Sequence, residues 1–439
     1  MIGRFDVPGR SRSVERRDAI VDPLQSKSQP SKSGPSEAGS SGPRLSGATR
    51  RSAVGLLLGA PLLGACAGVQ QSLGSFSNPF SSNAQQAEPS APPQQPAVAG
   101  NGQVKVGLIL PLSASGNAGV AAQSMKSAAE MALAEFQNPN IQLLIKDDAG
   151  TPQGAQQGTQ QALDEGAEII LGPLFAQSVP SAAQLTRARG VSLIAFSTDS
   201  SVAGRGVYLL SFLPESDVNR IIDYAASTGK RSFAALLPDN AYGNVVNAAF
   251  QQATARKGAR VVALEKYGAD RTAPARTVAQ ALGTADALFL ADDGDSLVAV
   301  TAALTAAGAN LKNVQLLGTG LWDNPRVFAA PALQGGLYAA PDPSGFRSFS
   351  TRYRAKFGSD PVRTATLAYD AVALVAALAR TQGGQRFSAE VLTNPSGFAG
   401  IEGLFRFRPD GTNERGLAVM RVAAGGGVPV AGSPKSFGA

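Results

Sequence analysis

The feature that most limits what this chain can fold into is an alternation. From Gln103 onward, short runs of β-branched or Leu-rich residues are each followed by a longer stretch with helical spacing. "VKVGLILPL" leads to "NAGVAAQSMKSAAEMALAEF", "IQLLIKD" to "QGAQQGTQQALDEG", "AEIILGPL" to "SVPSAAQLTRARG", and "VSLIAFS" follows. Strands that are apolar throughout must be covered on both faces, and intervening helices of ten or more residues supply that cover. The pattern therefore predicts βαβ units around a buried parallel sheet.

The series then restarts. "RSFAALLPD" precedes "YGNVVNAAFQQATARKG", "ARVVALEKY" precedes "APARTVAQALG", "ADALFLADD" precedes "DSLVAVTAALTAAG", and "NVQLLGTG" closes the set. A second set of apolar strands is a second core, and 439 residues exceed what one core usually serves. The expected fold class is thus α/β, with two Rossmann-like lobes. Lobe 1 is expected over residues 103–214 and lobe 2 over 215–342, with "ESDVNRIIDYAASTG" as the first crossover. Residues 343–425 read as two helices, broken at Gly358 and Pro361, and a hairpin turning at Pro409-Asp410-Gly411. These late elements are expected to return to lobe 1, which gives more than one crossing and a hinge, and 426–439 is left as a tail.

The first hundred residues have a different composition. Residues 1–50 are rich in Ser, Arg, Pro and Gly, too poor in apolar area to offset the entropy of ordering, and read as disordered. Arg50 and Arg51 then precede the apolar run Ser52–Ala65, and Leu63-Gly64-Ala65-Cys66 has the large, small, small, Cys order of a bacterial lipobox. Residues 1–66 are therefore expected to be a leader plus lipoprotein signal peptide, and Cys66, the only cysteine, the lipidation site. Each buried acyl methylene contributes about 0.8 kcal/mol of anchoring. Residues 67–102 carry one charge among many Ser, Gln, Pro and Ala, a linker composition. The expected location is the periplasm, on a lipid anchor in the outer membrane, because the residue after the cysteine is Ala67 rather than Asp.

Composition excludes much chemistry. There is no histidine, which removes the usual general base, the commonest zinc ligand and every Ser-His-Asp arrangement. One cysteine permits neither an intrachain disulfide nor a thiolate metal cluster. No Gly-rich phosphate loop follows a strand. The expectation is a protein that is not an enzyme and needs no metal or cofactor, a carboxylate-based hydrolase being the opposing reading. The basic excess sits largely in residues 1–51, which hold ten Lys and Arg against five acidic groups; from Gln103 on the balance is 29 against 26, so nucleic acid is not an expected partner.

In open parallel sheets ligands sit beyond the carboxyl ends of the strands. The loops there offer Ser113, Ser178, Ser197, Thr198, Tyr242, Asp293 and Trp322 as candidate ligand-binding residues, with Asp292 and Ser115 nearby. Hydroxyls, a carboxylate and aromatic faces suit a small polar ligand held by hydrogen bonds. Asp147 and Asp148, at a strand end, read as acceptors for the amides of the following loop.

The phrases "VGLILPLSASG", "AEIILGPLF", "FAALLPDNAYG", "FRSFSTRYRAKFGSDPVRTATLAYDAV" and "GFAGIEGLFRFRPDGT" resemble, in order, the landmarks of the type I periplasmic binding proteins of the Leu/Ile/Val-binding family. The resemblance covers about Gln103 to Val422 and implies two lobes, a hinge and a ligand held between them without being transformed. It implies four partners for an amino acid. The first, a serine, falls near Ala176, which has no hydroxyl. The second, a threonine, falls near Thr198 or Asp199, the tyrosine near Asp292 or Asp293, and the glutamate near Gly320, which has no side chain. A desolvated zwitterion needs both charges paired, so a free amino acid fits poorly. The lipobox, the linker and "GLILPLSASG" more closely resemble the lipoproteins that activate penicillin-binding proteins, which implies a peptidoglycan synthase as partner. The alternative implied is the substrate-binding component of an ABC transporter, with a permease as partner.

Overall fold

The structure is a computed structural model that describes residues 98–437. The leader, the lipobox with Cys66 and most of the linker lie outside the described residues.

The first sheet contains β1 (Val98–Ala99), β2 (Val104–Leu110), β3 (Ile141–Asp147), β4 (Ile169–Leu171), β5 (Ser192–Ala195) and β6 (Val207–Leu209), in the order β1-β3-β2-β4-β5-β6. All of its pairings are parallel except that of the short β1, which runs antiparallel on β3. Helices α1 (Gly116–Glu135), α2 (Pro152–Asp164) and α3 (Val179–Arg189) cover its faces. Val106, Leu108, Ile109 and Leu110 of the central β2 are fully buried, as a strand between two helical layers must be. Each such side chain contributes roughly 1.5–3 kcal/mol relative to exposure.

The second lobe starts at α4 (Pro214–Ser227), whose Val218, Ile221 and Ile222 pack on Phe233 and Ala235. It continues through β7 (Ser232–Pro238), α5 (Ala241–Arg256), β8 (Arg260–Tyr267), α6 (Thr272–Ala281), β9 (Ala287–Leu290), α7 (Gly294–Ala306), β10 (Gln315–Gly318), α8 (Pro325–Ala329) and β11 (Leu337–Ala340). The chain then returns: α9 (Pro343–Phe357) and α10 (Ala365–Thr381) pack against α1. Gly358, left-handed at φ 75°, ends α9. After the short α11 (Ala389–Leu392), strands β12 (Phe398–Gly400), β13 (Gly403–Phe407) and β14 (Asn413–Arg415) form a small antiparallel sheet whose Phe405 and Phe407 join the lobe 1 core.

The last two strands depart from expectation. β15 (Ala418–Ala423) does not stay with lobe 1 but pairs antiparallel with β11, and the presumed tail is a strand, β16 (Gly426–Ala431), at the edge of the second sheet. The second sheet is therefore mixed, in the order β16-β15-β11-β10-β9-β7-β8, and is not closed by "NVQLLGTG". The sequence hides this because β11 is the short, Ala-rich "LYAA", which carries little strand signal.

Three segments cross between the lobes: β6 to α4, β11 to α9, and β14 to β15. The first and third are tied together. Ser211 O accepts from Asn413 Nδ2 at 2.8 Å and from Arg415 Nε at 2.9 Å, and Arg220 Nε of α4 donates to Leu417 O at 2.8 Å.

Candidate functional site

In-register parallel pairing brings the carboxyl ends of β2, β3, β4 and β5 to one end of lobe 1. Ser113 is exposed there and its amide donates to Asp147 Oδ1 at 3.2 Å. Asp147 also accepts from Ala149 N, and Asp148 Oδ1 accepts from Gly150 N at 2.8 Å. Burial holds the Asp148 carboxyl up at about 6 against the pull of the Gly150 amide, with Asp147 pushing the same way as burial. The acid pair thus shapes its loop. Thr198 is exposed at the end of β5. Ser197 is 3% exposed and its hydroxyl accepts from Asp199 N at 3.0 Å, so it holds the turn rather than facing a ligand. Ser178 is fully buried at the start of α3, its Oγ without a hydrogen-bond partner. Of the four lobe 1 candidates, only Ser113 and Thr198 present accessible side chains.

Lobe 2 brings more polar groups together. Asn240 caps α5 through Gly243 N at 2.8 Å, which sets Tyr242 in the first turn. The Tyr242 hydroxyl and Thr319 Oγ1 lie 2.8 Å apart, and burial pushes the phenol up. Tyr267 donates its hydroxyl to Asp292 Oδ2, with the Arg271 guanidinium 5.5 Å from the Tyr267 ring. Burial raises the Asp292 carboxyl, and the Tyr267 hydroxyl opposes that shift. Asp293 caps α7, accepting from Ser296 N at 3.0 Å, so one of its oxygens belongs to the helix.

Trp322 corrects an expectation. It is fully buried in the lobe 2 core, donating from Nε1 to Leu290 O at 3.1 Å, and cannot cover a ligand. It lies where Gly318 leaves room, since a Cβ on Gly318 would stand 2.1 Å from the indole. A tryptophan after a strand reads equally as a lid or as packing. Here the turn Gly320–Trp322 folds it back under the sheet.

Asp217, which sequence reading passes over as part of a crossover helix, lies at the centre of this group. Its Oδ2 accepts from Gly320 N at 2.8 Å, beside the Tyr242–Thr319 pair. Burial holds its carboxyl up at about 7, against the pull of the Gly320 amide and of Arg363 and Arg415. Only its place in the first turn of a helix after Pro214 hinted at such a role.

The lobes meet through Arg363, which precedes α10. Its Nη1 donates to Asp323 Oδ2 of lobe 2 at 3.1 Å, and its Nε to the buried Glu402 at 2.9 Å. The strand-end loops also approach each other where Ser200 Oγ donates to Glu215 Oε1 at 2.6 Å. The set can hold a polar group against acids and hydroxyls. Among the described residues no cluster of three or more metal-ligating side chains is present.

The segment that builds these two lobes and their three crossings, residues 103–427, matches a family profile described as periplasmic binding protein. The chain belongs to the periplasmic binding protein family. Solved structures share the type I fold of this periplasmic binding protein. A branched-chain amino acid ABC transporter periplasmic ligand-binding protein from Burkholderia xenovorans superposes at TM-score 0.60 and 19% identity, covering 77% of this chain and 97% of that one. A leucine-binding protein from Thermotoga maritima gives 0.52 and 17%, over 75% and 98%. A solute-binding protein of an ABC transporter from Rhodopseudomonas palustris, in complex with 3,4-dihydroxybenzoic acid, gives 0.52 and 20%, over 76% and 97%. No curated protein sequence matches the chain. Among the described residues no helix is long and apolar enough to cross a membrane.

Proposed function

We propose that this periplasmic binding protein is a non-catalytic envelope lipoprotein, anchored through Cys66 to the outer membrane, that acts on a peptidoglycan synthase as the activators of penicillin-binding proteins do. The supporting observation is that polar groups at the lobe 2 strand ends pair with one another. Tyr242 bonds Thr319, Tyr267 bonds Asp292, and Asp217 occupies the Gly320 amide. A receptor for a free amino acid needs such groups for the ligand's charges, and Ala176 and Gly320 bring neither a hydroxyl nor an acid. The lipobox and linker add length and an anchor suited to reaching a partner. The test is a pull-down from membranes with the lipidated full chain. Recovery of a peptidoglycan synthase whose activity rises on adding the protein supports the reading, and recovery of an ABC permease instead rejects it.

A second reading has its own support. Asp217, Asp292 and Asp293 share one lobe, a wall suited to the cationic end of a solute. On that reading the chain is the substrate-binding component of an ABC transporter for an amino acid or related compound. Calorimetric titration with leucine separates the two: saturable micromolar binding favours the receptor.

A further inference from the structure

After its third crossing the chain spans the two lobes once more. β16 ends at Ala431 on the edge of the lobe 2 sheet, and the residues that follow run back to the small antiparallel sheet packed on lobe 1. This strap, 432–437, lies beyond the residues that match the family profile. It is fastened along its length. On the lobe 2 side Gly432 O accepts from Arg220 Nη2 of α4 at 3.2 Å, and the same guanidinium donates from Nε to Leu417 O in the third crossing. In the middle Pro434 lies against Gly416 of that crossing, where a Cβ would stand 3.0 Å from the proline Cγ. On the lobe 1 side the Arg406 guanidinium carbon lies 4.6 Å from the centre of the Phe437 ring, and a Cβ on Gly397 would stand 2.8 Å from that ring.

The lobe 1 end is a prepared seat. Gly397 is left-handed at φ 71° and lacks the side chain that would displace the ring. Arg406 is already held, its Nε donating to Glu414 at 2.9 Å and its Nη1 to Pro395 O at 3.1 Å, so it offers its face to Phe437 at little cost in ordering. The strap is also short and stiff. Residues 432–437 reach about 20 Å at full extension, while Pro434 fixes its own φ and favours an extended Ser433. Phe437 joins none of the hydrophobic cores. Pro434, Ser436 and Phe437 instead line a cavity of about 870 Å³ together with Asn244 and Gln252 of α5. Core burial therefore does not account for the path of the strap, whose contacts are to both lobes and to the crossing between them.

We propose that residues 432–437 are a latch on the hinge: seated, they hold the lobes at the angle seen here, and unseated, they release them to other angles. A short tether fastened to both lobes can bond at both ends only where the gap matches its span, so seating favours one angle over the rest. The latch acts on the hinge whatever ligand or partner the strand-end surface takes.

The experiment reads the angle between the lobes. Spin labels at A134C on α1 and A299C on α7, both exposed positions, are placed in the full chain carrying C66S, and their distance distribution is measured by double electron–electron resonance. F437A empties the seat and leaves every core residue in place, while the blue-shifted emission of Trp322, buried in lobe 2, reports that the fold is intact. The distribution should widen roughly twofold, or gain a second distance, both in F437A and in the chain lacking 432–439. K435A alters an exposed residue of the strap and should match the parent. A parent-like distribution in either latch variant, or equal widening by K435A, would overturn the proposal.

Discussion

The backbone N–H of Gly320 donates to the Asp217 carboxylate at 2.8 Å, so the first helix after the crossing closes a corner of the second lobe's strand ends. Burial holds Asp217 up at about 7 and Asp370 likewise, well above an ordinary aspartate. A carboxyl whose pKa is higher folded than unfolded binds its proton more tightly when folded. Its stabilisation is fully present below about pH 4 and is lost as pH rises through 7. With no histidine in the chain, few other side chains titrate in that window. Stability should therefore fall from pH 5 to pH 8, by roughly 2 kcal/mol for each group. D217N keeps an acceptor for Gly320 N–H and should flatten part of the slope. Urea midpoints that follow the same pH profile in wild type and D217N would refute the assignment.

Glu402 is 1% exposed and accepts from Arg363 Nε at 2.9 Å and from Thr366 Oγ1 at 2.8 Å. Removing one member of a buried pair leaves the other charge desolvated. E402A should lose about 3–5 kcal/mol, seen as a lower urea midpoint at unchanged slope. Replacing both partners with apolar residues, E402L with R363M, should lose less than E402A alone, since the one carboxylate that then loses its cation, Asp323, is 28% exposed and reaches water. A double variant at least as unstable as E402A would show that packing, and not charge, dominates the site.

Trp322 is the chain's one tryptophan and is fully buried. Its emission should be blue-shifted in the native state and unmoved by any ligand of the strand-end surface. W322F gives up the bond to Leu290 O and part of the indole volume, and should destabilise lobe 2 by roughly 2–4 kcal/mol. Native emission near that of the unfolded chain would contradict the packing.

How much of this was legible follows from the kind of signal each part sends. Strands such as "VKVGLIL" and "SFAALLP" announce themselves because a parallel strand is apolar on both faces, and Gly358 marks a helix end by its backbone freedom. β11 and β16 were missed because short strands rich in Ala or Gly carry no periodicity. The position of the strand-end loops follows from topology, but side-chain direction within them does not. Ser197 and Trp322 turn inward, while Asp217 reaches in from an element that patterning assigns only to packing. Pairs such as Arg363 with Glu402, 39 residues apart, leave no trace in local sequence at all.

Arg363 also reaches across to Asp323, and this contact bears on how freely the lobes move. Its segment is fixed to lobe 1, where Val362 N donates to Ser124 Oγ of α1 at 3.1 Å. Asp323 belongs to lobe 2, where Tyr338 donates its hydroxyl to Oδ1 at 3.3 Å. The Arg363–Asp323 bond at 3.1 Å therefore spans the gap, while Glu402 satisfies the same guanidinium from the lobe 1 side. D323N weakens the span without stranding Arg363, so global stability should change by less than about 1 kcal/mol. Amide exchange in the crossings at 210–213, 342 and 416–417 should nonetheless quicken several-fold, because local opening responds to the tie and not to the cores. Exchange there that matches the wild type, with core amides unchanged, would mean that the crossings alone set the angle between the lobes.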